Sequence, residues 1–279
     1  MNASTVSCAE LQRRLQSKNG PLVIDVRPSP VFQAAENFVF GALRRTPEEV
    51  DAWSREIPRE REIVFYCNDG RVTSPGVAAA VASGRVGVHV LEDGLHGWLA
   101  AGGSVLPKPP GRSTVWVTRE RPKIDRVACP WLISRFVDKD AVFRYVNVNE
   151  VRSVAKAERV IPFDIPDVTF SHEGNHCSFD AFLKVFRLDD PALASLAVII
   201  RGADTGRLSM APEAPGLLAL ALGLSRLSTD DHEVLRHGMI MYDALYLWSR
   251  EGREETHSWN PDLYRCGHHD ERRVGPDRI

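Results

Sequence analysis

No apolar run in this 279-residue sequence approaches the ~20 residues that span a bilayer; Leu217 to Leu222 is typical of the longest. An integral membrane protein of the helical kind is excluded on that count. The first fifteen residues carry Arg13 and Arg14 but no apolar stretch and no small-residue cleavage site, so no secretory signal is read there and a cytoplasmic location is expected. A basic excess is also missing. Lys and Arg number 35 against 37 Asp and Glu, split 11 to 12 up to Leu106 and 24 to 25 after it, so neither half carries the charge that phosphate-backbone binding needs. Cysteines are few, odd in number and scattered (Cys8, Cys67, Cys129, Cys177, Cys266), which argues against a disulfide framework and for free thiols in a reducing compartment. Aromatic residues make up only 8%, but the hydrophobic content of 43% is ordinary for globular chains, and disorder is excluded. No fixed-period repeat and no Gly-x-Gly-x-x-Gly nucleotide fingerprint is present.

The length suits two domains, and the segment Gly102 to Ser113, GGSVLPKPPGRS, breaks both helical and strand patterns between them. The expected division is 5–106, a linker at 107–113, 114–250, and a polar tail at 251–279 expected to be partly disordered or draped on the surface. In the first part Ser7-Cys8-Ala9-Glu10 has capping-box form. Leu22-Val23-Ile24, Ile63 to Tyr66 and Val88 to Leu91 are apolar runs of strand length, and Thr46-Pro47-Glu48-Glu49 is a second helix start. Alternating strand and helix predicts a parallel α/β sheet, whose ligands bind beyond the carboxyl ends of the strands. The residues there are Asp25, Cys67 and Asp93.

After Cys67 come Asn68-Asp69-Gly70-Arg71-Val72-Thr73, then Ser74-Pro75 as the predicted cap and first turn of a helix over 76–82. A thiol beside a helix N-terminus meets unpaired N–H groups and the positive dipole end, which favour thiolate, and a Gly70 loop forms an anion cradle with Arg71 beside it. This reads as a nucleophile. Cys-x5-Arg phosphatase chemistry is disfavoured, because the sixth residue on is Thr73.

Val23-Ile24-Asp25-Val26-Arg27, Gly41-Ala42-Leu43, Phe65-Tyr66-Cys67, and Gly94-Leu95-His96-Gly97-Trp98 with Ala101-Gly102-Gly103 together resemble the rhodanese (sulfurtransferase) domain family over nearly all of 5–106. The resemblance implies an α/β rhodanese-like domain, a parallel sheet flanked by helices, that carries sulfane sulfur as a persulfide on Cys67 and passes it from a small-molecule donor to a thiol acceptor, with no other cofactor. Arg71, Gly70, Thr73 and Asp25 are the expected substrate-binding residues. The loop departs from the common pattern in having Val72 five residues after the cysteine, where a basic residue or Thr is frequent, and in placing the Asp69 carboxylate inside the cradle, where it opposes anion binding. Thiosulfate is therefore not expected to be the favoured donor.

From Thr114 the pattern restarts: a strand to Thr118, a helix headed by Pro130 through Phe136, a strand over 142–148, then long helices over 190–200, 214–224 and 229–250. The expectation is an α+β, mainly helical domain. Its run Lys123 to Ile133, with Ile161-Pro162-Phe163-Asp164, Phe170-Ser171-His172 to Phe179-Asp180, Ala203-Asp204 and Tyr242 to Tyr246, resembles the ChrB-type chromate-resistance domain over roughly 114–250. In that family full-length regulators carry a DNA-binding segment ahead of this domain. A rhodanese-like domain stands there instead, and promoter binding is not expected. His172 to Asp180 brings imidazole, thiolate and carboxylate close, a set suited to a transition metal such as zinc or iron. His172, Cys177, Asp180 and Asp204 are the expected ligands, with Asp164 a further distant one. Asp125, Arg126 and Cys129 form a second polar set, with Pro130 putting that thiol near a helix start. His232-Glu233-Val234-Leu235-Arg236-His237 misses the zinc-protease spacing by one residue, and Cys266-Gly267-His268-His269 has no partner at a usable spacing. Three functions are open on this reading: a sulfurtransferase acting in chromate or oxidative-stress defence, a chromate or metal sensor whose rhodanese-like half senses or docks through its thiol, and a DNA-binding regulator.

Overall fold

Alternating strands and helices in the first hundred residues fold as the pattern predicts. In the computed structural model, which describes residues 3–17 and 19–254, the elements run β1 (Ser4–Val6), α1 (Cys8–Leu15), β2 (Leu22–Asp25), α2 (Ser29–Ala34), β3 (Asn37–Val39), β4 (Ala42–Arg44), α3 (Val50–Trp53), β5 (Ile63–Tyr66), α4 (Thr73–Val81), β6 (Val88–Leu91), α5 (Gly94–Ala100) and β7 (Val105–Pro107). Five strands form a wholly parallel sheet in the order β1-β6-β5-β2-β4, and β3 and β7 pair antiparallel beside it. Because β2 and β5 are buried on both faces, every one of their residues is inaccessible, as their continuous apolar runs require. Ser7 caps α1 by accepting the Glu10 N–H at 3.2 Å. At Thr46 the predicted start is a short 3₁₀ turn before α3, with the Thr46 hydroxyl donating to the Glu49 carboxylate at 2.7 Å and not capping the backbone.

The second part runs β8 (Val115–Arg119), α6 (Asp125–Leu132), β9 (Val142–Val146), α7 (Val151–Glu158), β10 (Ile161–Pro162), α8 (Ser178–Phe186), α9 (Pro191–Asp204), α10 (Ala214–Leu227) and α11 (Asp231–Leu247). It is mainly helical around a small parallel sheet ordered β10-β8-β9. The helix expected to begin at Pro130 begins five residues earlier and holds that proline inside it, continuing into a π turn over Ile133–Val137. Proline leaves the carbonyl four residues back without its helical donor. That carbonyl belongs to Arg126, and the Tyr145 hydroxyl from β9 donates to it at 3.0 Å, which makes the interior proline tolerable. Asp190 and Asp230 cap α9 and α11 as side-chain acceptors.

The two halves share one apolar core. Trp116 on β8 packs against Phe170, Phe182 and Phe186 at ring distances of 5.1, 5.4 and 6.4 Å, and Phe40 from the first half lies 6.3 Å from Phe170. Arg45 donates to the Phe136 carbonyl at 3.0 Å and Arg187 to that of Leu15 at 2.5 Å, tying the halves at two further points. The 107–113 segment is held down: Lys108 is fully buried, its ammonium donating to the carbonyls of Gln33, Pro109 and Arg112 at 2.9, 3.2 and 2.5 Å. Burial and the neighbouring Arg27 push that lysine down to about 8. Among the described residues no helix is long and apolar enough to cross a membrane. Most of the 251–279 tail, including Cys266-Gly267-His268-His269, lies outside the described residues.

Candidate functional sites

The first site is the loop after β5. Cys67 ends the central strand, 4% exposed, and its sulfur accepts a hydrogen bond from the Ser74 hydroxyl at 3.2 Å. The helix expected from Gly76 starts at Thr73, so Ser74 sits in its first turn and turns its hydroxyl onto the sulfur instead of capping the backbone. Two glycines lock this loop against the next one. Gly70 takes φ +71°, where an added Cβ would lie 2.7 Å from the Leu91 carbonyl oxygen, and Gly94 takes φ +52°, where a Cβ would lie 2.3 Å from that of Cys67. The Leu95 and His96 N–H groups then donate to the carbonyls of Cys67 and Asn68 at 2.8 and 3.0 Å, so the N-terminus of α5 buttresses the cysteine loop. Gly94→Ala is expected to cost about 3 kcal/mol or more, the left-handed conformation adding about 1–2 to an overpacking cost of similar size. Gly102→Ala, at φ +68° with nothing within 4 Å, should show the conformational part alone. Urea titration of both variants checks the difference.

The expected substrate-binding residues are placed unequally. Gly70 and Arg71 lie in the loop and Thr73 opens α4, with Arg71 exposed. Asp25 does not reach the site as a free group. It is wholly buried and accepts from the Arg27 side chain, the closest contact 2.5 Å, and from the Tyr66 hydroxyl at 2.6 Å. Its position at the end of β2 suggested a ligand contact, but the guanidinium two residues on claims both oxygens. Asp69 turns toward the cysteine: its carboxylate accepts the Arg71 N–H at 3.1 Å and the Cys67 thiol at 3.7 Å. The Arg71 N–H holds that carboxyl below its ordinary range. An open depression of ≈ 630 Å³ adjoins the loop, lined by Asn68, Leu95, His96 and Leu99 on one side and by Pro30 and Ala34 on the other.

The second site lies where α6, α8, α9 and the loop after β10 converge. His172, on the turn ahead of α8, points its Nε2 at three carboxylates: Asp204 Oδ2 at 3.2 Å, Asp164 Oδ1 at 3.3 Å and Asp125 Oδ2 at 3.5 Å. Asp164 has φ +52° and is buried; its Oδ1 accepts from the Ser178 hydroxyl at 2.8 Å and its Oδ2 from Arg119 at 2.8 Å, with Arg126 3.4 Å away. Asp125, the first residue of α6, accepts the Ser178 N–H at 2.7 Å through Oδ2. The hydrogen bonds to Asp125, Asp164 and Asp204 push His172 up to about 12. Burial pushes Asp125 up to about 7, His172 opposing it and the other two carboxylates adding to it. Burial also works against the Asp164 carboxylate, but His172, Arg119 and Ser178 outweigh it and hold that group below its ordinary range.

Of the four expected ligands the structure brings His172 and Asp204 together and adds the more distant Asp164. Cys177 and Asp180 do otherwise. Cys177 is the N-cap of α8, its N–H donating to Asp180 at 2.9 Å, and burial first, then Asp125, pushes its thiol far up. Asp180 is claimed by Arg201 from α9, Nε at 2.9 Å. They sit five and eight residues past His172, but the turn into α8 aims them at the helix start. Cys129 is buried inside α6, not at its N-terminus. Asp125 was legible only as part of a polar set.

A wholly parallel sheet whose central strand ends in a cysteine loop under a helix N-terminus defines the class as rhodanese-like, and residues 7–101 match the family model described as the Rhodanese-like domain. Residues 116–249 match the one described as ChrB, C-terminal domain, so the chain joins a rhodanese-like domain to a ChrB C-terminal domain. It is similar to Protein ChrB of Cupriavidus metallidurans, 38% identical over 133 residues that make up 47% of this chain and 39% of that protein. The chain thus spans well under half the length of that relative. Among solved structures, a rhodanese-related protein from Thermoplasma volcanium is 19% identical, covering 37% of this chain and 96% of that one with a TM-score of 0.31. A rhodanese homologue from Thermus thermophilus is 29% identical, covering 33% and 98% with a TM-score of 0.27.

Proposed function

We propose that the chain is a rhodanese-type sulfurtransferase serving chromate resistance or oxidative-stress defence, with Cys67 as the covalent carrier. The observation that supports it most is the Ser74 hydroxyl donating to the Cys67 sulfur at 3.2 Å in the first turn of α4, a donor placed to stabilise sulfur as an anion. In the first half-reaction the Cys67 thiolate attacks the sulfane sulfur of a donor. The donor's bond to that sulfur breaks, its remainder leaves with the electron pair (sulfite, for thiosulfate), and Cys67 becomes a persulfide. In the second, an acceptor thiolate takes the outer sulfur and Cys67 is regenerated as thiolate. Arg71 and the loop N–H groups hold the anionic donor, and the depression beside Asn68 and His96 receives the acceptor. The resemblance of the second half to the ChrB-type chromate-resistance domain supports a link between this thiol chemistry and an oxidising oxyanion.

Asp69 favours a second reading. Its carboxylate occupies part of the cradle, so the rhodanese-like half serves as a thiol sensor or docking module while the ChrB half recognises chromate. Incubation with thiosulfate, and separately with mercaptopyruvate, followed by intact and peptide mass spectrometry, separates the two. Transfer predicts one added sulfur atom at Cys67 and none in Cys67→Ser. A thiol that alkylates readily near neutral pH but loads from neither donor would sink the transfer reading and leave the sensor.

A further inference from the structure

We propose that Asp125, Asp164 and His172 hold a divalent transition-metal ion, with Asp204 as a fourth ligand on the histidine's side. One ligand atom from each of Asp125, Asp164 and His172 lies within 4.8 Å of the other two. The His172 Nε2 to carboxylate distances of 3.2 to 3.5 Å compare with the edge of about 3.3–3.4 Å between ligands of a tetrahedral ion bound at about 2.0–2.1 Å. Three acidic groups around one imidazole would be a salt-bridge cluster and nothing more, but for one atom. Asp125 Oδ1 is buried and has no hydrogen-bond partner among the described residues, although the residue is only 1% exposed. A buried carboxylate oxygen left unpaired is costly, and a metal ion is the partner that would satisfy it.

The surroundings fit an ion's outer shell. The Ser178 N–H holds Asp125, and the Ser178 hydroxyl and Arg119 hold Asp164, so each buried ligand is fixed by a second group. His172, its side chain 42% exposed, stands at the mouth and gives an ion a path inward. A proton and a metal are alternatives on Nε2, so the histidine ring facing the three carboxylates is the metal-free counterpart of the bound state. One nitrogen with carboxylate oxygens, and no thiolate, suits manganese(II), iron(II) or zinc(II) over calcium or magnesium. This ligand set excludes Cys177 and Asp180. It does not depend on transfer by Cys67.

The test uses the full chain, stripped with a chelator and dialysed against zinc(II), manganese(II) or, without oxygen, iron(II). One equivalent of at least one ion is expected to survive gel filtration, and X-ray absorption of the loaded protein should show imidazole and oxygen neighbours without sulfur. His172→Ala and Asp204→Asn should each weaken binding tenfold or more, while Cys67→Ser binds as the parent does. His172 is at the surface, so its variant should still unfold cooperatively; should either variant fail to fold, the absorption spectrum of the parent protein decides. Retention of none of the three ions, a sulfur neighbour near 2.3 Å, or unchanged affinity in folded His172→Ala would overturn the site.

Discussion

Replacing Asp25 by alanine is expected to remove about 3–5 kcal/mol of folding stability, the loss that follows when one partner of a buried ion pair is taken away. Asp25 and Arg27 are both fully inaccessible, and the carboxylate takes the Arg27 backbone N–H at 2.9 Å as well as its side chain. Burial alone would push the guanidinium down; Asp25 and Tyr66 more than reverse that and hold it above its ordinary value. Without the carboxylate, Arg27 keeps one contact to the Asn37 carbonyl at 3.1 Å and its place over the Phe32 ring, and the Tyr66 hydroxyl loses its acceptor. Neither replaces a counter-charge. Substituting both members together, Asp25→Leu with Arg27→Met, should cost much less, because the desolvation of two charges is then avoided. Urea denaturation measures both. Cys67 alkylation, scaled to the folded fraction, should not change in Asp25→Ala; a slower thiol in fully folded protein would return Asp25 to the site.

The elements that bear on Cys67 were legible because they are local. Short, mostly apolar runs mark β2, β5 and β6, and a strand end followed by Gly70 and a helix start places the thiol without any long-range information. The same local logic misplaced other residues. Pro130 reads as a helix start, and only Tyr145, from a strand fifteen residues on, supplies the hydrogen bond that lets it stay inside α6. With the start moved back to Asp125, that side chain faces His172 and the cluster gains its most buried member. Cys177 and Asp180 lie close to His172 in sequence, which suggested a shared ion, but Arg201 from another helix claims Asp180. Asp164 and Asp204, far apart in sequence, do meet at His172. Charge pairing between distant elements decides such cases, and spacing along one segment does not carry it.

Asp69→Asn is expected to raise the rate of persulfide formation from thiosulfate about tenfold, within the range by which a local charge changes the encounter of an ionic reactant. Two effects add in the same direction. The substitution removes a negative charge whose oxygen lies 3.7 Å from the Cys67 sulfur, where a dianionic donor must approach. It also loosens the claim of that side chain on the Arg71 N–H, one of the few donors the loop can turn toward an anion. The Arg71 N–H keeps Asp69 below its ordinary carboxyl range, so the charge is present throughout the neutral range and no pH change near 7 mimics the substitution. Salt does mimic it. Added potassium chloride should speed loading of the parent protein by screening the exposed carboxylate, and should speed Asp69→Asn less. Arg71→Ala should move the rate the other way, with added salt unable to restore it. A parent rate indifferent to salt, together with an unchanged rate in Asp69→Asn, would mean that the carboxylate does not oppose the donor, and the expected disfavour of thiosulfate would then rest on Val72 alone, 77% exposed where a cationic or hydroxyl side chain would meet the donor.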